Sequence, residues 1–119
     1  MSGNEARLRD LYDAFNARRI DEVIVALDPD VDWPNAMEGT REHGHDAVRE
    51  YWTRQFAVIQ SRVEPEGFAT DAEGRTVVEV HQVVHDPEGN LVVDNRVRHA
   101  YTFGDEGLIT QMDLSLIHI

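Results

Sequence analysis

His99 is the residue whose type and surroundings most directly predict chemistry in this sequence. It belongs to a segment, Leu91–Phe103, in which apolar and polar side chains alternate as they do along a β-strand. An imidazole can donate or accept a proton near neutral pH, and burial among neutral neighbours would lower its pKa and favour a role as a base. The alternative is a core histidine that is hydrogen-bonded to Asn95, Gln82 or a backbone carbonyl group.

A second group of polar candidates lies in residues 31–45, with the sequence VDWPNAMEGTREHGH. We expect Trp33 to form the wall of a pocket and His43 to lie at its rim. Asp32 alternates with Trp33, so its carboxylate faces either solvent or the mouth of the pocket, where it is a candidate catalytic group. Asn35 lies two residues beyond Trp33 and returns to the same side, which makes it a candidate ligand-binding residue.

The histidines also raise the question of a metal site. His81 and His85 are four residues apart on a predicted strand, hence roughly 13 Å apart along one face, which is too far to share an ion. His43 and His45 flank a glycine, but no further ligand is clearly placed beside them. The alternative is that the glycine makes a turn and His45 or Asp46 caps a helix. We therefore predict no metal and no cofactor.

Three helices are predicted before residue 60, where apolar side chains recur at helical spacing. Ser2 and Glu5 form a capping box for the first helix. A second, short helix begins at Asp21 and ends before Pro29, and a third begins at about residue 45. The apolar stripes of the first and third helices are Leu8, Leu11, Tyr12 and Phe15, and Val48, Tyr51, Trp52, Phe56 and Ile59.

Strands are predicted wherever apolar side chains recur at every second position rather than at helical spacing. Val31–Trp33 is a short extended piece that Pro34 ends, because proline lacks a donor for the strand ladder. After residue 60 the pattern indicates an antiparallel meander on which the helices pack, an α+β fold. Its four strands are Arg62–Thr70, Thr76–Asp86, Leu91–Phe103 and Leu108–Ile119.

The register of the second and third meander strands decides which side chains face the helices. A four-residue turn at Pro87–Asn90 pairs Asp86 with Leu91 and places Val78 opposite His99. A three-residue turn would set valines against arginines, so we favour the four-residue turn. The helix-facing side then carries Val78, Val80, Gln82, Val84, Val93, Asn95, Val97, His99, Tyr101 and Phe103, with Met112, Leu114, Leu116 and His118 of the last strand.

A pocket is predicted between this sheet face and the helices, because mostly apolar walls with a few polar groups are typical of ligand sites. Tyr51 and Trp52 are adjacent on the third helix and either belong to the core or stack on a ligand. The candidate ligand-binding residues on the sheet are Gln82, Asn95, Tyr101, Met112 and Leu114.

The opposite sheet face combines charged side chains with an apolar set that is large to leave exposed. This pattern predicts a homodimer through the outer face. The apolar set consists of Val77, Val83, Val92, Ile109 and Ile117.

Composition excludes several classes of partner. The length of 119 residues predicts one domain, 1–119. The formal net charge is −12, and all 11 basic residues are arginine. A chain this acidic disfavours nucleic acids and anionic lipid surfaces as partners. The apolar runs are too short to span a bilayer. The absence of cysteine fits a reducing cytoplasm, where we expect the protein to act. The expected partner is a small apolar or aromatic molecule.

The order of elements resembles the nuclear transport factor 2-like superfamily, and within it the SnoaL-like, ketosteroid-isomerase-related group. The resemblance rests on LYDAFNARRIDEVIVAL, VDWPN, GHDAVREYW and the final YTFGDEGLITQMDLSL, and it covers nearly the whole chain. It implies a cone-shaped α+β fold in which three N-terminal helices pack on a curved antiparallel sheet and enclose a cavity. Proteins of this superfamily are commonly dimeric, and the fold hosts many unrelated activities.

The resemblance also assigns positions to the functional groups of ketosteroid isomerase. The place of its catalytic aspartate holds Trp33, and the place of its first-helix tyrosine holds Leu11, with Tyr12 one step away and aimed elsewhere. The second oxyanion donor corresponds to His99. The isomerase mechanism is therefore not supported, although His99 remains where the family places chemistry.

Two functions follow from these residues. The first is a cofactor-independent isomerase, cyclase or hydratase-type enzyme that acts on a mainly apolar small molecule, with His99 as the proton-transfer group. The second is a non-catalytic module that binds a ligand or a partner with the same cavity.

Overall fold

The computed structural model describes residues 3–35 and 38–116, and within them it contains three helices and one six-stranded sheet. The predicted α+β fold is confirmed, whereas the capping residue Ser2 and the strand positions Ile117 and His118 lie outside the described residues. The elements are α1 (Gly3–Asn16), α2 (Ile20–Ile24), β1 (Leu27–Asn35), β2 (Thr40–His43), α3 (His45–Val58), β3 (Gln60–Thr70), β4 (Thr76–His85), β5 (Leu91–Phe103) and β6 (Ile109–Leu116). The strand order in the sheet is β2-β1-β6-β5-β4-β3.

The sheet is mixed rather than wholly antiparallel. Strands β3 to β6 form the predicted antiparallel meander, but β1 pairs with β6 in parallel, with Leu27 beside Ile109 and Asp32 beside Gln111. The backbone N–H of Ile109 donates to the carbonyl oxygen of Ala26 at 3.0 Å, which begins this pairing. The parallel pairing of β1 with β6 was not predicted, because alternation within a strand does not reveal its distant neighbour.

Strand β1 is longer than the predicted piece at residues 31–33 and contains two prolines. Pro29 lies in the stretch where the β1–β6 register is irregular, and Pro34 lies beyond Asp32, the last position paired with β6, although Pro34 itself is opposite Arg41 of β2. Neither proline therefore interrupts a regular ladder with β6. The strand continues to Asn35 and pairs with β2, so the segment that the sequence suggested as a pocket rim forms a β-hairpin at the edge of the sheet.

The register predicted for β4 and β5 is confirmed along most of their length. Val78 lies opposite His99, and Gln82 lies opposite Asn95. The end nearest the turn differs, because a bulge after Val84 leaves His85, rather than Asp86, paired with Leu91. Asp86 instead closes the turn by donating its backbone N–H to the carbonyl oxygen of Asn90 at 2.9 Å. The bulge lies far enough from His99 to leave its position unchanged.

The hydrophobic core lies between the helices and the predicted inner face of the sheet. The helical stripes provide buried Leu8, Leu11, Tyr12, Val48, Tyr51 and Trp52, and the sheet provides Val78, Val80, Val97, Tyr101 and Met112. Ile109 also belongs to this core, with 1% of its surface exposed, although the sequence placed it on the outer face. A bulge between Thr102 and Phe103 shifts the β5–β6 register and turns Ile109 inward.

The outer face is consequently less apolar than the sequence suggested. Val77 and Val83 are half-buried, whereas Val92 is exposed. Ion pairs occupy much of the remaining face, including Arg96 with Glu66 at 2.8 Å. The homodimer through this face stays a prediction.

Gly44 fixes the start of α3 against β1. It is the N-cap residue, in place of the predicted His45 or Asp46, and its φ of 86° lies in the region that favours glycine. Its N–H donates to the carbonyl oxygen of Val31 at 2.8 Å, and a side chain built here would begin 3.4 Å from the carbonyl oxygen of Pro29. The ring Nε2 of His45 forms a second link, 2.8 Å from the carbonyl oxygen of Leu27.

We predict that Gly44→Ala lowers the free energy of unfolding by about 1–3 kcal/mol, because the strained backbone conformation would have to be kept with a side chain attached. Urea denaturation measures this change. Gly67→Ala is the matched control, since Gly67 has an ordinary φ and an added Cβ would lie 3.8 Å from the Glu79 carboxylate. Equal stability of the two variants would contradict the role assigned to Gly44.

Candidate functional site

An internal cavity lies between α1, α3 and the inner face of the sheet, with a volume of about 70 Å³. This volume is well below the roughly 300 Å³ at which pockets for drug-sized ligands begin, so a polycyclic ligand requires the walls to move apart. Its apolar walls are formed by Leu11, Phe15, Trp33, Pro34, Trp52, Val63, Met112 and Leu114.

Three hydrogen-bonding side chains meet at this cavity. The hydroxyl oxygen of Tyr12, on α1, lies 2.8 Å from Nδ1 of His99 and 2.8 Å from the hydroxyl oxygen of Tyr101, both on β5. Tyr101 is also 3.4 Å from the same ring nitrogen. All three side chains are buried, and all three line the cavity. We call this group the His–Tyr cluster.

The position of Tyr12 corrects the expectation that its side chain is aimed elsewhere. The apolar stripe of a core-facing helix is more than 100° wide, so two consecutive residues can both face the core. Leu11 and Tyr12 do so here, and the tyrosine reaches across to the sheet while its ring stacks on His99 at a centroid distance of 5.9 Å. A tyrosine hydroxyl from the first helix is therefore present, one residue beyond the position that the resemblance assigned to it.

The hydrogen bonds of the cluster define where the imidazole carries its proton. Each tyrosine has one hydroxyl hydrogen, and a buried hydrogen left without an acceptor is costly. Both arrangements that pair the hydroxyl hydrogens of Tyr12 and Tyr101 make Nδ1 of His99 an acceptor, from which we infer that the ring proton lies on Nε2, an atom that is not among the fully buried unpaired ones. Within the described residues Nε2 has no partner. This N–H group is therefore the part of the cluster left for a bound molecule.

Burial determines the charge of the cluster. It lowers the pKa of His99 to about 4, so the ring is neutral at pH 7. Burial also raises the pKa of Tyr101, and it raises that of Tyr12 with a further contribution from the neighbouring Tyr101 hydroxyl. The low pKa keeps His99 neutral but makes it a weaker base than a solvated imidazole. The cluster consequently favours hydrogen-bond donation to an oxygen atom.

The structure brings most of the predicted pocket residues to the cavity. Trp33 forms a wall, with its ring centroid 5.3 Å from that of Trp52 and 6.1 Å from that of Tyr101. The other predicted residues found at the cavity are Tyr51, Gln82, Met112 and Leu114, besides His99 itself.

Four predicted site residues are not brought to the cavity. Asp32 is half-exposed and pairs with Arg41 at 2.6 Å, because the alternation along β1 turns it away from Trp33. His43 is exposed and lies opposite Asp32 on β2. Asn35 is buried, but its amide binds the side chains of Glu38 at 3.0 Å and Glu42 at 2.8 Å in the β1–β2 hairpin.

Asn95 is the fourth of these residues. It lies beyond the cavity on β5, opposite Gln82, which does line the cavity. Its side-chain oxygen is buried and has no hydrogen-bond partner among the described residues.

Gln55 is a cavity residue that sequence reasoning missed. It follows Tyr51 by four residues on α3, so the two side chains share a helix face, and this spacing was the available signal. Its Nε2 donates to the hydroxyl oxygen of Tyr51 at 3.3 Å. Its Oε1 is buried without a hydrogen-bond partner in the described part of the chain.

Larger hollows exist elsewhere but lack comparable chemistry. One of about 390 Å³ lies between α1, α2 and the β5–β6 turn, where charged Arg7, Asp10, Glu22 and Glu106 surround apolar side chains. Another, of about 540 Å³, lies on the outer sheet face. The charged side chains around the first hollow are exposed to water, and Arg98 at the second is exposed too, whereas Tyr12, His99 and Tyr101 of the His–Tyr cluster are buried. We therefore assign the functional site to the smaller cavity.

In residues 3–35 and 38–116, no group of three histidine, cysteine, aspartate or glutamate side chains has the spacing to hold a metal ion. No helix in these ranges is long and apolar enough to cross a membrane.

The helix order, the sheet and the enclosed cavity define a protein of the nuclear transport factor 2-like fold. Residues 8–112 match the model of the SnoaL-like domain, and the chain belongs to that family. A comparison with proteins of curated function finds no match.

Solved structures support the same fold. A nuclear transport factor 2-like protein of unknown function from Burkholderia pseudomallei is 27% identical with a TM-score of 0.84, and the alignment covers 98% of this chain and 92% of that one. TerC, co-crystallised with polyporic acid, is 25% identical with a TM-score of 0.82 and the same coverage. A Xanthomonas campestris protein provisionally named a polyketide cyclase is 23% identical with a TM-score of 0.77, and the alignment covers 93% of this chain and 87% of that one. This similarity shows the fold alone.

We predict that burial of neutral His99 makes the protein less stable as the pH falls from about 6.5 to about 4. In this window the unfolded chain, with an ordinary histidine pKa, binds a proton that the folded protein does not bind. The free energy of unfolding should decrease by about 3 kcal/mol from this residue alone, and the loss should level off below pH 4.

Denaturant unfolding at several pH values measures this contribution as the difference between the wild type and His99→Gln. The control is His43→Gln, which removes an exposed histidine. If the wild type and His99→Gln showed parallel pH profiles between 6.5 and 4, the buried neutral imidazole would be refuted.

Proposed function

We propose that this protein is a cofactor-independent SnoaL-like enzyme that acts on a mainly apolar small molecule through hydrogen-bond donation by His99 to an oxygen atom of the ligand. The observation that carries the proposal is the His–Tyr cluster, in which a neutral imidazole in an apolar cavity keeps its Nε2–H unpaired within the described residues. Such a donor requires an acceptor oxygen on the ligand.

The expected chemistry is activation of a carbonyl or similar oxygen. When negative charge develops on that oxygen in a transition state, a fixed donor in a water-poor site stabilises the charge more strongly than water does. Isomerisation, cyclisation and hydration at a carbonyl compound all pass through such a charge. Tyr12 supports the donor because its hydroxyl holds Nδ1 of His99 at 2.8 Å and fixes the ring.

The walls support an apolar, ring-containing ligand. Trp33, Trp52 and Tyr101 place aromatic rings around the cavity, and aromatic rings favour stacked or edge-to-face contacts with other rings. Co-crystallisation of the relative TerC with polyporic acid supports a small organic molecule as ligand of this fold. The small volume favours a single ring unless side chains move.

A non-catalytic binding module is the second candidate. It is favoured by the composition of the walls, since none of the described lining residues carries a carboxylate that could serve as a partner base for His99. The low pKa of His99 points the same way, because it limits the strength of the imidazole as a base. Binding and turnover must therefore be measured separately.

We predict that the wild type binds acetophenone about fivefold more tightly than α-methylstyrene, a hydrocarbon of nearly the same shape, because only the ketone accepts a hydrogen bond from His99. His99→Phe should remove this preference, and His99→Gln, whose amide retains a donor, should keep part of it. Both tryptophans of the chain line the cavity, so NMR titration of their indole N–H signals reports occupancy. Equal preference in the wild type and His99→Phe would contradict the proposed donor.

A turnover assay distinguishes between the two proposed functions, an enzyme and a non-catalytic binding module. With cyclohex-3-enone as probe, a buffer base removes the α-proton, the Nε2–H of His99 stabilises the enolate oxygen, and the buffer acid returns a proton at the γ-carbon. We predict that the wild type accelerates this formation of the conjugated isomer and that His99→Phe loses about 10²–10³-fold of the rate, as expected for removal of one oxyanion donor. Absorbance of the conjugated enone follows the reaction, and a thermal melt checks that the variant is folded. A wild type that prefers acetophenone but leaves the enone unchanged would support the binding module instead.

A further inference from the structure

The side-chain oxygen of Gln55 is buried at the cavity and has no hydrogen-bond partner. Among the cavity residues within 3–35 and 38–116, no other side-chain oxygen is in this state. The residue is 9% exposed, and its amide nitrogen is used in the bond to the Tyr51 hydroxyl. Its Oε1 therefore remains as an acceptor at the apolar wall. Buried polar atoms in folded proteins are nearly always paired, so an unpaired one calls for an explanation.

Packing alone does not explain a glutamine at this position. The same face of α3 buries Val48, Tyr51 and Trp52, and a leucine or methionine would fill similar space without an unpaired oxygen. Leaving the oxygen unpaired destabilises the empty protein. A ligand that donates a hydrogen bond to it would remove that penalty on binding.

Two of the polar groups at the cavity are of opposite kind. The His–Tyr cluster presents a donor, the Nε2–H of His99, from β5, and Gln55 presents an acceptor from α3. Aromatic walls that include Trp33 and Trp52 line the same cavity. A molecule that satisfies both groups has an apolar ring with an acceptor oxygen at one position and a hydroxyl or N–H donor at another.

We propose that Gln55 is a ligand-binding residue that selects molecules with a hydrogen-bond donor in addition to the oxygen that meets His99. The substrate class is then a hydroxylated, or N–H-bearing, aromatic or cyclic carbonyl compound. This inference rests on the proposed function, because it takes the donor of His99 as the other point of attachment. Gln55 would then give different affinities to ligands that make the same hydrogen bond with His99.

The test compares acetophenone with its three monohydroxy isomers and with the corresponding methoxy ethers, using the indole N–H signals to measure dissociation constants. At least one hydroxy isomer should bind about fivefold more tightly than acetophenone, and its methoxy ether, which cannot donate, should lose the gain. Gln55→Leu should abolish the gain while leaving the affinity for acetophenone within about twofold. Gln60→Leu, the same change at an exposed position of β3, should leave the gain intact.

Stability gives an independent readout. Because Gln55→Leu removes a buried unpaired oxygen together with only the long, 3.3 Å hydrogen bond to the Tyr51 hydroxyl, the ligand-free variant should melt close to the wild-type temperature. A glutamine with a merely structural role would make the variant melt lower and would weaken all the ketones equally.

The failures of the two proposals are distinguishable. If acetophenone binds with the His99-dependent preference but no hydroxy isomer gains affinity, or if a methoxy ether gains as much as its phenol, the role of Gln55 is overturned and that of His99 stands. If no ketone shifts the indole signals, the proposed function fails and the role of Gln55 fails with it.

Discussion

The hydrogen-bonded contact between Tyr12 and His99 connects the fold of this protein to its candidate site. It joins α1 to β5 inside an otherwise apolar core, where a buried hydroxyl or imidazole without a partner would destabilise the fold. Tyr101 completes the cluster from the same strand. The contact can form only if the β4–β5 register directs His99 inward and if α1 presents Tyr12 to the sheet. The same β4–β5 register and the same placement of α1 are therefore required by both the fold and the site.

The same burial sets the chemistry that the site can perform. Removal from water keeps His99 neutral and its tyrosine neighbours protonated, so the cluster is a set of donors without net charge. A low local dielectric strengthens any hydrogen bond that the cluster makes to a ligand. It also penalises the imidazolium form, which limits the ring as a base. Activation of an oxygen atom is the consequence of both effects.

Periodicity was sufficient to predict the helices, the meander and the inward position of His99. Cross-strand pairing decided the β4–β5 register correctly, because valines opposite valines and Glu79 opposite Arg98 favour one alignment. The parallel pairing of β1 with β6 was missed, since it joins residues more than 70 positions apart and leaves no local pattern. The same limitation hid the bulge that turns Ile109 into the core.

The candidate site was predicted only where the side chain follows from strand alternation. Trp33 and Tyr101 are at the cavity for that reason. The orientation of Tyr12 was predicted wrongly because the family resemblance assigns the tyrosine to a single helix position, Leu11. In the structure Leu11 and Tyr12 both face inward. Asn35 was assigned to the pocket, yet the β1–β2 hairpin that binds its amide was not recognised.

The most direct measurement of the central claim is the nitrogen-15 NMR spectrum of the histidine side chains as a function of pH. Comparison of the wild type with His99→Gln identifies the signals of His99. A buried His99 that accepts a hydrogen bond from Tyr12 should give one neutral form that carries its proton on Nε2, stays mostly neutral from pH 8 to pH 5, and titrates at about 4. A His99 ring that titrated near 6.5, or that carried its proton on Nδ1, would refute the neutral imidazole with a free Nε2–H.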